Sequence, residues 1–197
     1  MSRICRLLAV WTVVLGIGGP AWAQVLPNPY RLVKDWATLP DGRTMGAVGD
    51  VTVDRDGRHI WAVIRCDATA LERFGNECLD SDLDSVIKFD PEGNVVESFG
   101  GGMFIWPHGL DVDADGNVWV TDGYFLGSTE GDTRGHQVVK FSPTGEVLMR
   151  LGTPGEAGAG QTHFNAPADV AVADNGDIFV ADGHSDRGNN RVVKFNK

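Results

Sequence analysis

The chain has 197 residues, of which 27 are acidic and 17 are lysine or arginine, so its formal net charge is −10. This negative balance argues against binding nucleic acid through phosphates and against adhesion to anionic lipid. It is compatible with bound cations, although solubility alone explains it equally well.

Residues 1–23 have the pattern of a secretory signal peptide. Arg3 and Arg6 precede an apolar run at 7–17, and the sequence AWA at 21–23 is a small-x-small cleavage signature. The apolar run is too short for a good membrane span, and no later segment comes close. We expect cleavage before Gln24, export to the periplasm or the medium, and no membrane attachment afterwards. An uncleaved N-terminal anchor is the alternative.

Three stretches repeat one strand–turn–strand pattern. They read GDVTVDRDGRHIWAVI at 49–64, HGLDVDADGNVWVTDG at 108–123 and ADVAVADNGDIFVADG at 168–183. Each has alternating apolar residues and a tight turn, built on Gly57, Gly116 or Gly176, which predicts a β-hairpin. A third strand follows each hairpin (SVIKFD, QVVKFS, RVVKFN), and a fourth follows the first two (VVESFG, VLMRLG).

Repeated units of four antiparallel strands predict an all-β fold, a β-propeller with blades at about 45–103, 104–163 and 164–197. A β-sandwich is the alternative. The segment YRLVKDWATL at 30–39 resembles the additional strand that often completes a propeller's last blade. With about 2.75 blades, we expect a fragment, a truncated reading frame or half of an assembly. Open sheet edges would then favour self-association.

Two cysteines remain after the predicted cleavage, Cys66 and Cys78, and they flank the polar sequence DATALERFGNE. An even pair in an oxidising compartment predicts a disulfide, worth about 3 kcal/mol in the loop-entropy model. A zinc site is less favoured, because no second cysteine pair or nearby histidine accompanies them.

The repeats resemble the NHL repeat, and within that group the six-bladed peptidyl-α-hydroxyglycine α-amidating lyases. The phrases WPHGLDVDADGNVWVTD, HFNAPADVAVADNGDIFVADG and the arginine that ends HIWAVIR carry the resemblance, from about residue 45 to 197. The resemblance implies a six-bladed propeller and metal-dependent cleavage of a carbinolamide N–C bond. It also implies that this chain corresponds to the N-terminal half and is inactive by itself.

The resemblance implies two metals. His108 matches the first of three zinc-binding histidines, which come from alternate blades; Gly49 and Ala168 occupy the equivalent positions here. Zinc would need two more ligands from beyond Lys197. The backbone carbonyls of Val51 and Leu110 match ligands of a calcium ion, which favours oxygen.

Two further residues match catalytic positions of that family. Arg65 matches an arginine suited to holding a substrate carboxylate, since Arg binds carboxylates bidentately. A surface arginine beside the disulfide is the alternative. His184 stands where the family has a tyrosine, and Tyr124 follows the same Asp-Gly pair one blade earlier. His184 could act as a base or be a loop residue.

The remaining candidates have structural interpretations. We expect His59 in a solvated turn and His136 and His163 in loops. Asp122 and Asp182 should cap turns by accepting backbone N–H bonds. Trp61, Trp119 and Phe179 share one blade position and should pack between blades.

Two other functions stay open beside the lyase. The first is a non-enzymatic NHL-repeat module that binds a small-molecule, peptide or protein ligand. The second is a lactonase-like propeller hydrolase with a central calcium, although the acidic ligand pattern expected for it is not visible.

Overall fold

The computed structural model describes residues 27–67, 77–123, 132–184 and 188–197. The chain divides into two units, residues 1–33 and 34–197. The described part of the first unit has no regular secondary structure, and Tyr30 and Leu32 are exposed there. The predicted signal peptide lies outside the described residues. Within the described ranges, no helix is long and apolar enough to span a bilayer.

The regular secondary structure in the described part of the second unit consists of three antiparallel sheets and a short 3-10 helix at Pro40–Gly42. Blade 1 contains β1 (Ala47–Val53), β2 (Ile60–Arg65), β3 (Val86–Phe89) and β4 (Val95–Phe99). Blade 2 contains β5 (Trp106–Val112), β6 (Val118–Gly123), β7 (Gln137–Phe141) and β8 (Val147–Gly152). Blade 3 contains β9 (Pro167–Val172), β10 (Ile178–Asp182) and β11 (Arg191–Phe195). In every sheet, strands adjacent in sequence are hydrogen-bonded neighbours.

The hairpin turns are where the Gly-containing motifs predict them. Gly57, Gly116 and Gly176 have φ values of 70°, 83° and 87°, which are accessible to glycine at little cost. Each donates its N–H to the carbonyl three residues earlier, which closes the turn between the first two strands of its blade.

The inner strands β1, β5 and β9 lie side by side, and apolar side chains fill the spaces between blades. Trp61 of blade 1 packs in one cluster with Leu110 and Val112 of blade 2, and Trp119 packs in a second with Val170 of blade 3. Burial of one such side chain is worth about 2–3 kcal/mol. The predicted all-β propeller of antiparallel blades is confirmed, and so is the interblade packing of the two tryptophans. Phe179 is only half-buried, with Lys194 Nζ 5.6 Å from its ring centroid.

Hydrogen bonds from side chains also join successive blades. Asp50 accepts a bond of 3.0 Å from Leu110 N, and Asp111 accepts one of 2.7 Å from Val172 N. Arg55, in the first hairpin turn, donates to the carbonyls of Val112 and Asp113. These contacts hold the inner strands in register.

The interpretation of 30–39 as an added strand is wrong. A turn interrupts the segment at Asp35, whose φ is 52°, and no strand forms there. Trp36 packs beside Phe89 instead, with ring centroids 5.8 Å apart, and donates its Nε1–H to the Pro91 carbonyl. Packing of the partly buried Trp36 indole against blade 1 outweighs continued extension of the chain.

Candidate active site

A β-bulge interrupts the inner strand of each blade at the same position. The extra residue is Gly49 in β1 and Ala168 in β9, and the bulge of β5 lies between Pro107 and Leu110, where it includes His108. Bulges reorient side chains and are common beside active sites. Of the three described blades, only blade 2 places an imidazole at this point.

The inner strands approach one another closely at these bulges. A Cβ at Gly49 would lie 2.5 Å from the His108 carbonyl oxygen, and a Cβ at Gly109 would lie 2.5 Å from Asp169 Cα. Any larger residue at either glycine would displace the neighbouring backbone. The position of His108 therefore depends on a glycine in the preceding blade.

Arg65, the last residue of β2, lies against Trp106, the first residue of β5. Its guanidinium carbon is 4.7 Å from the centroid of the Trp106 ring, and its Nε donates to the Pro107 carbonyl at 3.3 Å. The indole occupies space left by Gly123, where a Cβ would lie 2.3 Å from the ring. Arg65 is only 8% exposed, so it is not a surface arginine. Cation–π attraction favours this stacking.

Two imidazoles complete what we call the aromatic cluster, Trp106, His108 and His184. Ring centroids are 4.5 Å apart for Trp106 and His108, 4.7 Å for Trp106 and His184, and 4.6 Å for the two histidines. His108 and His184 are 76 positions apart in the chain. The propeller therefore brings together three of the residues predicted from sequence: Arg65, His108 and His184.

The surroundings keep both imidazoles neutral at physiological pH. Burial lowers the pKa of His108 to about 4, and the charge of Arg65 acts in the same direction. Burial and Arg65 also lower the pKa of His184. Each neutral imidazole has one unprotonated nitrogen, which can accept a proton or bind a metal.

Glu77, which precedes Cys78, faces Arg65. Its Oε1 is 3.8 Å from Arg65 Nη1, and the residue is 3% exposed. Among the described residues, neither carboxylate oxygen accepts a hydrogen bond. Burial lowers the pKa of Arg65, whereas Glu77 raises it.

The predicted disulfide between Cys66 and Cys78 is confirmed, with Cα atoms 5.4 Å apart. Arg65 and Glu77 immediately precede the two cysteines in sequence. The covalent link therefore holds the cation and the carboxylate close together.

The candidate calcium ligands Val51 and Leu110 lie on neighbouring inner strands. The Asp50 carboxylate bridges them, accepting the N–H of Val51 at 2.7 Å and that of Leu110 at 3.0 Å. Calcium requires six to eight oxygen ligands, so two carbonyls and an already hydrogen-bonded carboxylate do not complete a site.

The described residues do not complete a zinc site either. His108 and His184 are close enough to act together, but no group of three or more His, Cys, Asp or Glu side chains in the described ranges could hold a metal. Zinc sites in proteins have three or four protein ligands. A zinc ion at His108 would therefore need further ligands that the described residues do not provide.

Two buried aspartates fix the chain around the site. Asp122 accepts the N–H groups of Ile105 and Trp106 at 3.0 and 2.8 Å, and that of Gly135 at 2.8 Å. Burial raises its pKa to about 6, although these donors oppose that shift. Asp182 accepts the N–H of Asn165 at 2.7 Å. Both aspartates accept backbone N–H groups as predicted, but these donors lie 13 to 17 residues away in the chain and not in turns next to the aspartates.

The other histidines lie outside the aromatic cluster. His59 bonds to Asp56 in its turn, and His163 lies 3.4 Å from Glu156. His136 is buried and accepts the Ala166 N–H at its Nδ1. Tyr124 lies outside the described residues.

Sequence reasoning missed Trp106 and Glu77. Trp106 lies two residues before His108, a spacing that places side chains on one face of a strand. Glu77 adjoins a cysteine that the predicted disulfide brings beside Cys66. Both signals were present in the sequence.

The NHL repeat family model matches residues 164–195. A relative from Caenorhabditis elegans, named "Probable peptidyl-alpha-hydroxyglycine alpha-amidating lyase pgal-1", is 38% identical over 161 residues, covering 78% of this chain and 42% of the relative. Peptidyl-alpha-hydroxyglycine alpha-amidating lyase 2 from Drosophila melanogaster is 30% identical over 192 residues, covering 90% and 42%. Human NHL repeat-containing protein 3 is 37% identical over 99 residues, covering 46% and 26%.

The chain thus spans less than half the length of each of these relatives. The matches confirm the resemblance predicted from the repeats and from the phrase around His108. The chain carries an NHL repeat and is a sequence relative of the peptidyl-α-hydroxyglycine α-amidating lyases.

Proposed function

We propose that the chain contributes the substrate-binding part of an exported, lyase-like propeller that cleaves the N–C bond of a peptidyl-α-hydroxyglycine. The observation that carries this proposal is the position of Arg65, stacked on Trp106 beside two neutral imidazoles. A buried cation next to proton acceptors suits a small substrate that has both a carboxylate and a hydroxyl group.

The proposed reaction is an elimination from a carbinolamide. A base removes the hydroxyl proton, the oxygen forms a C=O bond, and the C–N bond breaks with its electron pair leaving on nitrogen. The nitrogen then takes up the proton. The products are a peptide amide and glyoxylate, and no oxidant or reductant is needed.

Each residue of the site has a role in this scheme. Arg65 binds the substrate carboxylate and thereby places the hydroxyl group near the aromatic cluster. His184 removes the hydroxyl proton and returns it to the leaving nitrogen. Trp106 excludes water from one side and holds the guanidinium flat. Residues that act by positioning can supply several kcal/mol of barrier reduction, about 7 or more in favourable cases.

The proposal also includes two metal sites, although no step of the scheme above uses a metal. We propose His108 as a zinc ligand, and the carbonyls of Val51 and Leu110 as calcium ligands, in sites completed by residues other than those described. Elemental analysis after dialysis tests the zinc assignment. Zinc that the wild-type protein retains should be lost in His108→Ala, and zinc retained by that variant would contradict the assignment.

A direct assay tests the lyase proposal. The protein, in an assembled form in which its metal sites are complete, is incubated with a short peptide ending in α-hydroxyglycine, and glyoxylate is measured. We expect turnover to fall at least 100-fold in Arg65→Gln and in His184→Asn, within the range of one general acid–base residue. His163→Asn, a histidine outside the aromatic cluster, is the matched control and should retain full activity. Equal turnover in all four proteins would refute the proposed roles.

A second candidate is a binding module without chemistry. It is supported by the similarity to human NHL repeat-containing protein 3, whose name states no reaction. In that case a peptide ligand should bind at Arg65, and the α-hydroxyglycine peptide should remain intact. No observation favours the lactonase-like alternative.

Export is the remaining part of the proposal. The disulfide supports it, because such bonds persist mainly in oxidising compartments. The signal-like pattern at residues 1–23 supports it as well. N-terminal sequencing of the protein recovered from the periplasm or the medium should begin at Gln24.

A further inference from the structure

Arg65 and Glu77 form a buried pair of opposite charges that is not a hydrogen-bonded salt bridge. The two residues are 8% and 3% exposed, and Nη1 and Oε1 are 3.8 Å apart. That distance exceeds the range of an N–H···O bond. The attraction between the two groups is therefore electrostatic and leaves the guanidinium N–H groups on that side able to bind another acceptor.

Among the described residues, Arg65 alone offsets the cost of burying the Glu77 carboxylate. Neither oxygen accepts a hydrogen bond among the described residues, and a buried, unpaired carboxylate is strongly unfavourable. Within the described ranges, Arg65 is the cation within ion-pair distance of the Glu77 carboxylate. The disulfide next to Glu77 limits how far the carboxylate can withdraw.

The pair reduces the positive charge that Arg65 presents to the aromatic cluster. Arg65 contributes one positive charge and Glu77 one negative charge, with Nη1 and Oε1 3.8 Å apart. A ligand carboxylate that approaches Arg65 is therefore attracted by the guanidinium and repelled by Glu77.

We propose that Glu77 is a specificity-determining residue, which partly neutralises Arg65 so that the site binds carboxylate-bearing ligands weakly and releases them readily. The inference rests on the proposed function only in the choice of peptide ligands. Weak binding suits a reaction in which substrate and small product both carry a carboxylate.

Equilibrium binding tests this role without requiring turnover. The probes are a short peptide ending in glycine, with a free carboxylate, and the same peptide with a C-terminal amide, titrated calorimetrically at pH 7.5. Glu77→Gln removes the charge and keeps the side-chain size. We expect it to bind the carboxylate peptide about tenfold more tightly than the wild-type protein and the amide peptide equally well.

Glu77→Asp is the matched control, because it keeps the charge and changes the shape. Its affinity for the carboxylate peptide should stay within about threefold of the wild-type value. The proposal is overturned if a folded Glu77→Gln protein binds the carboxylate peptide no better, if both peptides gain equally, or if neither protein binds it.

The two proposals fail separately. Tighter carboxylate binding in Glu77→Gln without any glyoxylate release would support the role of Glu77 and refute the lyase. Glyoxylate release with unchanged binding in Glu77→Gln would do the reverse.

Discussion

Blades 2 and 3 each bury an aspartate at the same position, and they compensate its charge differently. Asp122 is surrounded by neutral donors, three backbone N–H groups and the Gln137 amide. Asp182 accepts 2.8 Å and 2.7 Å bonds from Arg191 Nε and Asn189 Nδ2. Burial raises the pKa of Asp122 to about 6. A repeated carboxylate can thus be stabilised by backbone dipoles in one blade and by a cation in the next.

Blade 1 shows a third arrangement. Ile64 occupies the aspartate position, and the Cys66–Cys78 disulfide lies two residues further along. The same end of the second strand is therefore stabilised by a disulfide in blade 1, by neutral hydrogen bonds in blade 2 and by an ion pair in blade 3. The strand end nearest the site is held in each case, which keeps Arg65, Trp106 and His184 in place.

The largest effect should come from Asp122→Asn. The asparagine amide group must face either the donors from Ile105 and Trp106 or those from Gly135 and Gln137, which leaves buried N–H groups without an acceptor. We expect a loss of about 3 kcal/mol in the free energy of unfolding, measured by urea denaturation.

Asp182→Asn is the matched comparison for that variant. Arg191 also donates to the carbonyls of Ala159, Gly160 and His163, so it keeps partners in the variant. Its loss should be about half that of Asp122→Asn. Equal losses would show that the kind of donor around the carboxylate does not matter.

Removing the disulfide should have the next largest effect. We expect the Cys66→Ser/Cys78→Ser double variant to lose about 2–3 kcal/mol, because the unfolded chain regains the entropy of a short loop. Reduction of the wild-type protein should give the same loss. A double variant as stable as the oxidised protein would show that blade 1 does not depend on its covalent link.

Gly49→Ala tests the close approach of blades 1 and 2. The added methyl group would lie 2.5 Å from the His108 carbonyl oxygen, so β5 must shift. We expect a loss of about 1–3 kcal/mol and a changed chemical shift for His108 in NMR spectra. The control is Gly160→Ala, where the contact within 4 Å is a single His163 ring atom at 3.5 Å. A control as damaging as Gly49→Ala would contradict the steric argument.

The smallest effect should be a pH dependence of the free energy of unfolding, which arises from His136 at the contact between blades 2 and 3. His136 Nδ1 accepts the Ala166 N–H at 3.1 Å, and burial lowers the pKa of His136. The unfolded chain therefore takes up a proton at higher pH than the folded protein does. Stability from this group is present above about pH 6.5 and falls as the pH drops below it.

His136→Asn should reduce that pH dependence, since asparagine does not titrate and tolerates the φ of 53° at this position. Between pH 7.5 and 5.5 the wild-type protein should lose about 1 kcal/mol more than the variant. Denaturation curves at the two pH values provide the measurement, and parallel losses in both proteins would assign the effect elsewhere.

Much of the fold follows from local sequence. The alternating strands and the turns at Gly57, Gly116 and Gly176 predict the hairpins, because period-two burial and positive φ leave local signatures. The site depends on contacts that no local pattern contains. Glu77 meets Arg65 because the disulfide joins the cysteines that follow them, and His184 meets His108 because blades 2 and 3 place their strand ends side by side. The strand predicted at 30–39 is absent because packing of Trp36 against blade 1 outweighs the strand-like composition of the segment.

Gly49 and Gly109 also bear on the curvature of the ring. Neighbouring blades nearly touch at these glycines, whereas further from the axis Trp61, Phe99 and Phe141 keep them apart. A narrow spacing inside and a wide one outside gives each blade a wedge shape, and the wedge angle fixes how many blades close a circle. Residue sizes on the inner strands therefore set the angle between successive blades, and in a closed propeller they would set the width of its centre.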